Sequence, residues 1–434
     1  MARWFTTSSQ DFSADFSAFL KEPRGDAADT ASAVRAIIDD VREAGGQAVA
    51  SYTQKFDRFD IDAVSLKNDS MSLERLAKDC PEDVRRAVDF AHDRIEVYHA
   101  AQNPPDHSFE DGHGMTLGWR WTPLSSVGVY VPGGRANYPS SVLMNMVPAK
   151  VAGVERIVMV APTPGGVMSP AVAYAALKAG VQEFYPIGGA QAVAALAYGA
   201  GDLVPVDKIV GPGNAYVAEA KRQVFGTVGI DTIAGPSEVC IIADGSVEAS
   251  WIAADLLSQA EHDPSAQSIL ISLDEGYAKE VEAEVKSQLA VLGTEETARQ
   301  SWNKHGAIII ASSMSEACDI SNRIAPEHLE LAVAEPKAHL TKVKHAGAVF
   351  LGAWAPEALG DYVTGSNHVL PTSGAARFSS GLGLFDFMKR MSVQSATPGG
   401  FRHLAEAAMA LAEAEHLPAH KRSVSIRFEK GTDV

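Results

Sequence analysis

Gln259 and His262 stand three residues apart at the end of an apolar run, in the stretch "DLLSQAEHDP" at positions 255–264. Positions three apart share one face of a helix. A neutral imidazole with a carbonyl oxygen beside it is half of a zinc site. Capping or core hydrogen bonding is the other reading of a helix-terminal histidine, and neither an HExxH pattern nor paired cysteines decides between the two. Further ligands would have to come from elsewhere in the chain. The polar residues in apolar or glycine-rich settings are Glu327 and His328 in "RIAPEHLEL", Asp361 in "EALGDYVTGSNH", His368, and Glu415 and His420 in "EAEHLPAHK". Glu327 and His328 are neighbours at a helix interrupted by Pro326, where they offer two proton-transfer groups with different jobs. An exposed charged turn would carry the same letters.

Glycine-rich turns at strand ends form the second set of candidates: "VPGGRANYPSS" (131–141), "IGGAQA" (187–192), "VGPGNAY" (210–216) and "IAGPSE" (233–238). Free backbone N–H groups and helix N-termini converge at the carboxyl ends of parallel strands, which favours a phosphate or carboxylate ligand. Tight turns between strand and helix account for the glycines equally well. The fingerprint G-x-G-x-x-G is absent, because "GPGNAY" places Tyr216 where the third glycine belongs. A nicotinamide cofactor therefore cannot be argued from that motif.

These residues need a scaffold. The first ~120 residues read as helical by periodicity, with Val34, Ile37, Ile38 and Val41 following the cap candidates Asp29 and Thr30, and Val84, Val88, Ala91, Ile95 and Tyr98 repeating the pattern. From Ser126 short apolar runs alternate with helix-length segments: "VGVYV", "RIVMVA", "EFYPI" and "DKIV", then "EVCIIAD", "SILISL", "GAIIIAS" and "GAVFLG". Helices are expected between them, including one over 277–292. The pattern predicts an α/β fold with two successive Rossmann-like, mostly parallel sheet domains. The expected boundaries are an N-terminal helical region at 1–126, a first domain at 127–236, a second at 237–380 carrying most of the candidates, and a helical tail at 381–434.

Composition narrows the function classes. The chain has 434 residues, 46% hydrophobic and 21% charged, with a formal net charge of -17, which argues against binding a phosphate backbone and for a neutral or cationic small molecule. The basic "HKRSVSIRFEK" reads as a solvated end, so no nucleic-acid partner is expected. No run approaches the ~20 apolar residues that span a bilayer, and the opening "MARWFTTSSQDFSADF" lacks a signal-peptide centre, so no membrane association and a cytoplasmic location are expected. Cys80, Cys240 and Cys318 show no CxxC spacing and read as core residues.

Together these motifs resemble the L-histidinol dehydrogenase family. The stretches "GVYVPGGRANYPSSVLMNMVPAKVAGV", "GPGNAYVAEAKRQVFG", "AGPSEV", "ADLLSQAEHDPSAQ", "IAPEHLEL", "EALGDY" and "NHVLPTSGAARFSSGL" occur in the family's order and at its spacing, through nearly the whole chain. Departures are small: Thr232 and Ser366 stand where Met and Pro are expected, and His416 where Gly is common.

The resemblance implies a zinc-dependent homodimer that oxidises L-histidinol to L-histidine through L-histidinaldehyde with two NAD+, in the last steps of histidine biosynthesis. By position, Gln259, His262, Asp361 and His420 would hold one Zn2+ per subunit. Ser237, His368, Glu415, His328 and the zinc ligands would surround the substrate, and Tyr130, Gln191 and Asn214 would contact NAD+. His328 would take the hydroxyl proton in the first oxidation, and Glu327 would activate water for the second. The tail would cross to the partner subunit, so that active sites are shared. The competing readings are a paralogue that oxidises another alcohol, such as a dihydroxypropane sulfonate, and a non-catalytic metal- or nucleotide-binding module.

Overall fold

A computed structural model describes residues 2–24, 30–67, 72–133, 138–233 and 235–429. The cap candidate Asp29, positions 134–137 of "VPGGRANYPSS" and Ala234 of "IAGPSE" lie outside the described residues. The chain forms two compact units, one of Met1–Gln102 with Leu124–Phe387, the other of Asn103–Pro123 with Met388–Val434.

Two parallel sheets build the first unit. The six-stranded one contains β1 (Arg3–Thr6) and five strands introduced below; the three-stranded sheet of β2 (His107–Glu110), β3 (Met115–Pro123) and a late strand belongs to the second unit. Next in the chain come β4 (Ser126–Tyr130), β5 (Arg156–Val160), β6 (Glu183–Tyr185), β7 (Lys208–Val210) and β8 (Gly229–Ile230), which form a five-stranded sheet in the order β6-β5-β4-β7-β8. Every pairing in it is parallel. The chain moves outward from β4 on one side and then returns to add β7 on the other, leaving a switch point between β4 and β7.

The second series is β9 (Glu238–Ala243), β10 (Gln267–Ser272), β11 (Ala307–Ile310), β12 (His328–Ala332) and β13 (Ala348–Leu351), arranged with β1 in the parallel order β1-β11-β10-β9-β12-β13. β9, β10 and β12 are buried at every residue, as strands covered by helices on both faces must be. Ile241 and Ile242 are fully enclosed, and burying such a side chain contributes about 1.5–3 kcal/mol.

Not all of the segment expected to be helical at 1–126 is helix. Arg3–Thr6 pairs in parallel with Ala307–Ile310, and Phe16 and Phe19 from the helix Phe12–Lys21 pack in the core of the same sheet. The predicted helix does form at Thr30–Ala44, but its stripe of Val34, Ile37, Ile38 and Val41 joins the core of the five-stranded sheet. An amphipathic helix has no core of its own and takes the nearest apolar sheet face. The predicted 277–292 helix runs from Glu275 to Leu289, capped by the Asp274 carboxylate on the Tyr277 N–H. All three cysteines are buried thiols.

In the second unit β14 (Met388–Ala396) lies antiparallel to β3, which also pairs with β2. The tail is thus not wholly helical: it opens with this strand and continues as helices Pro398–Ala414 and Pro418–Glu429. Only Gly400, Ala405 and Ala412 are buried in the first of these helices and no residue in the second. His416 sits at φ +57 just past the first helix, the left-handed position that glycine normally fills. Among the described residues no helix is long and apolar enough to cross a membrane.

Candidate active site

The candidate residues of the first unit gather at two places, and the first is the carboxyl edge of the five-stranded sheet. Tyr130 closes β4 at the switch point, next to the end of β7. Its hydroxyl accepts the Gly189 N–H at 3.1 Å, and burial pushes the phenol up to about 12, so it stays neutral. Gln191 stands in the first turn of the helix Gly189–Tyr198, 1% exposed, with Oε1 buried and unpartnered. The Asn214 side chain caps the helix Ala215–Val224 by accepting the Tyr216 and Val217 N–H groups at 3.0 and 3.2 Å, and the residue is exposed. Two helix N-termini and a free buried amide therefore flank the end of β4. Such an arrangement favours an anionic ligand through dipoles, without a formal charge.

The second place is the amino edge of the six-stranded sheet. Glu327 and His328 are not on a helix: the helix Met314–Ile324 ends with Ala325 in a left-handed turn, and His328 opens β12. The "IAGPSE" turn likewise leads into the start of β9, and Gly235 donates its N–H to the Thr372 hydroxyl at 2.6 Å. Glu327 Oε2 accepts the Glu238 N–H at 2.9 Å, and Glu238 Oε2 accepts the Glu327 N–H at 3.3 Å. Glu238 also accepts the Ser373 N–H at 3.0 Å and pairs with Arg24. It is saturated, and its work is to hold Glu327 in place.

His328 donates from Nδ1 to the Glu238 carbonyl at 3.0 Å, which fixes the ring. Glu327 Oε2 and Glu357 Oε1 lie 3.8 and 3.9 Å from Nδ1, and Asp361 Oδ1 lies 3.5 Å from Nε2. Burial works against charging the imidazole, yet Glu357, Glu327 and Asp361 together raise it well above its ordinary value. Burial moves the Glu327 carboxyl up to about 7, against the pull of His328. Asp361 is held below the carboxylate range: burial opposes ionisation, but His328, His368 and His262 outweigh it. His368 is anchored through Nδ1 to the Asp361 carbonyl at 2.9 Å, and burial lowers its basicity.

Gln259 and His262 do not share a helix face. The helix Ala249–Ala260 contains Gln259, and His262 stands in the turn beyond it, exposed, with its N–H on the Gln259 carbonyl at 3.3 Å. Gln259 itself is 1% exposed. Ser237 is half-buried immediately before β9. Glu415 and His420 are exposed residues of the second unit. One group of His and carboxylate side chains already brings its ligand atoms within 4.8 Å of one another among the described residues, His92, Asp93 and Glu96. None of these was expected as a ligand, and Lys178 stands 3.8 Å from Asp93, competing with any cation.

The family's sequence profile, described as histidinol dehydrogenase, matches residues 20–428. The chain belongs to the histidinol dehydrogenase family. It is 54% identical to the histidinol dehydrogenase of Caulobacter vibrioides over 99% of this chain and 100% of that one. With the histidinol dehydrogenase of Agrobacterium fabrum it shares 55% identity over 99% of each. The crystal structure of histidinol dehydrogenase from Elizabethkingia anophelis superposes with a TM-score of 0.93 at 34% identity, covering 99% of this chain and 98% of that one. Family membership makes the chain an oxidoreductase, with the mixed α/β fold expected from its sequence.

The side chains bear on the zinc that the resemblance implies. Gln259 Oε1 and Glu357 Oε2 are buried without hydrogen-bond partners, and a buried polar atom left unpaired costs about 1–3 kcal/mol. Asp361 is ionised and lies within the field of His262. A neutral amide oxygen, an imidazole and a carboxylate are donors that suit zinc, so the residues present fit.

Sequence reasoning missed the acids around the pair. Glu238, Glu330, Glu357 and Asp255 are each displayed in a quoted motif or strand, and Glu238 at the head of an apolar run was the available signal. Glu330 Oε1 accepts the Glu357 N–H at 2.7 Å. Burial raises both Glu330 and Asp255, whose carboxyl groups titrate together. Asp255 also lines an open cleft of about 460 Å³ with Trp251 and Trp354, which neither Glu327 nor His328 lines.

Proposed function

We propose that the protein is a cytoplasmic enzyme that oxidises L-histidinol to L-histidine through L-histidinaldehyde, at the expense of two NAD+. The observation that carries this reading is the Glu327–His328 pair, 3.8 Å apart and enclosed among carboxylates. Gln259, His262 and Asp361 would hold zinc together with His420 of the partner subunit in a homodimer with shared sites. Bound there, the ion supplies a fixed charge that orients the substrate's amino and imidazole nitrogens.

Tyr130, Gln191 and Asn214 bind NAD+, which supplies the hydride acceptor, and the neutral crevice orients it by hydrogen bonds. Ser237, His368 and Glu415 of the partner subunit surround the substrate. His328 takes the hydroxyl proton as the alcohol loses hydride. Its Nδ1 is fixed on a carbonyl, so Nε2 is the atom that accepts, and this requires a neutral ring. Asp361 is one of the carboxylates that keep the ring charged, and as a zinc ligand it would no longer do so. Glu327 then removes a proton from water as the oxygen adds to the aldehyde carbon, and the hydrate gives its hydride to the second NAD+. A carboxyl poised near neutrality both accepts and releases that proton at working pH.

An anionic substrate such as a dihydroxypropane sulfonate would meet the ionised Asp361 and a partly ionised Glu327, which disfavours it. Purified protein should reduce two NAD+ per L-histidinol and leave the sulfonate untouched; turnover of the sulfonate alone would reverse the assignment. Site sharing is tested by co-expressing Asp361→Ala and His420→Ala chains. Random pairing makes half the dimers mixed, and about a quarter of wild-type activity should return. Activity no higher than either variant alone, with mixed dimers verified, would place His420 in its own chain's site.

A further inference from the structure

The Gly211 peptide at the end of β7 is held by two charged side chains that the reaction does not use. Lys221 and Asp231 are ion-paired with their side chains 3% and 2% exposed. Asp231 Oδ2 accepts the Gly211 N–H at 2.8 Å, and Lys221 Nζ donates to the Gly211 carbonyl at 3.0 Å. Asp231 is itself fixed by its own N–H on the Ile209 carbonyl at 3.2 Å. Lys221 rides on the helix Ala215–Val224, the one that Asn214 caps. One ion pair thus ties the end of β7, the chain after β8 and the Asn214 helix to a single residue, Gly211.

Gly211 has to be glycine. Its φ is +110, and a Cβ there would fall 2.1 Å from the Tyr130 carbonyl oxygen. Gly213 has the same need, because a Cβ would meet Val217 at 2.4 Å. A turn with glycine at two of its positions cannot be set by packing of its own side chains, and glycine has the most conformational freedom to lose. Charge-assisted hydrogen bonds to both sides of the Gly211 peptide supply the restraint instead. Stability alone does not explain the pair, since a buried ion pair is commonly no more stabilising than apolar residues of the same volume.

We propose that Lys221 and Asp231 are positioning residues for NAD+: they fix the Gly211–Asn214 turn in its binding geometry before the cofactor arrives. This rests on the reading that NAD+ binds at Asn214. Neither side chain reaches the surface, so both act through the turn. Ordering done in advance is not subtracted from binding energy, and the pair therefore sets cofactor affinity and not the chemical step.

The test is steady-state kinetics and melting of the full-length enzyme as Lys221→Met, Asp231→Asn and the double variant Lys221→Met with Asp231→Leu. Each single change should raise the KM for NAD+ about tenfold, the loss of one hydrogen bond to a charged group, with kcat at saturating NAD+ and the KM for the alcohol within about twofold. The single variants leave a buried charge unpaired and should melt lower. The double variant restores apolar packing and should regain melting temperature while its KM for NAD+ stays raised. A double variant that melts like wild type and has a normal KM for NAD+ would overturn the proposal, as would a KM that recovers in step with stability. Hydrogen exchange separates this from the underlying reading. NAD+ should protect the amides of residues 213–217 in wild type; without that protection the cofactor assignment falls, whereas protection with unchanged KM values in all variants rejects only the positioning role.

Discussion

The two edges that carry the candidate residues solve opposite electrostatic problems. At the carboxyl edge of the five-stranded sheet Tyr130, Gln191 and Asn214 are neutral, and the binding capacity lies in helix N-termini and backbone N–H groups. At the amino edge of the six-stranded sheet Glu327, Glu357 and Asp361 surround one imidazole in a buried space. A nucleotide can be recognised by backbone geometry, which costs the fold little. Proton transfer near neutral pH needs acids and bases displaced from their ordinary pKa values, and that takes burial and like charges close together. On the proposed function, the first edge serves affinity and the second chemistry.

The contrast breaks most visibly if Glu327 or His328 is altered. His328→Asn should lose about 10²-fold or more in alcohol oxidation, the usual cost of removing a general base. Glu327→Gln should keep slow alcohol oxidation and fail on supplied aldehyde. Equal damage to both half-reactions by both changes would mean that the pair does not divide the work. At the other edge Gln191→Ala and Asn214→Ala should act on the KM for NAD+ by about tenfold, as expected for a lost hydrogen bond, with kcat nearly preserved. A large fall in kcat for either would erase the distinction between affinity and chemistry.

The acid cage should also leave a signature in stability. Glu327 titrates at about 7 in the folded chain, Glu330 and Asp255 are raised by burial, and His328 is raised by its carboxylates. Each folded value lies above the unfolded one, so the folded state keeps protons that the unfolded chain releases. The stabilisation is full below the unfolded values and is lost as pH rises through the folded ones. In chelator-treated protein the unfolding free energy should fall between about pH 5 and pH 8 by up to about 1.4 kcal/mol per pH unit for each proton retained, and the melting temperature with it. Glu330→Gln should flatten that fall. A melting temperature that rises over that range would show that the cage is hydrated and not desolvated.

The smallest expected effect lies outside both edges. His416→Gly relieves a left-handed φ of +57 and should stabilise the second unit by about 0.5–1 kcal/mol, read as a small shift in its melting with kinetics unaltered. A change in catalytic constants would tie this turn to the reaction.

Legibility followed the range of the interactions involved. The helix Thr30–Ala44 was readable because its apolar stripe is a local pattern, and so were β4, β5, β9 and β10, whose buried runs are continuous in sequence. β1 was not: Arg3–Thr6 becomes a strand by pairing with Ala307–Ile310, some three hundred positions away, and four residues carry too little periodicity to announce it. Glu327 and His328 stood out as adjacent groups, but their placement at the start of a strand depends on the turn at Ala325 and on Glu238, 89 positions earlier. The spacing of Gln259 and His262 suggested one helix face. The helix stops at Ala260 and gives the two residues opposite degrees of burial.

The sequence by itself determined the family, the alternation of strands and helices, the glycines that bring backbone close to Tyr130, and that a glutamate and a histidine stand side by side at 327 and 328. Those properties are written in residue types and in neighbours a few positions apart. The tertiary structure alone decided which strand ends meet, that Glu238, Glu357 and Asp361 close around His328, and that Lys221 and Asp231 pair under Gly211. A carboxylate has the same letter in water and in a core; only the distant segments that exclude water from it and bring charges within a few ångströms set its protonation and its role.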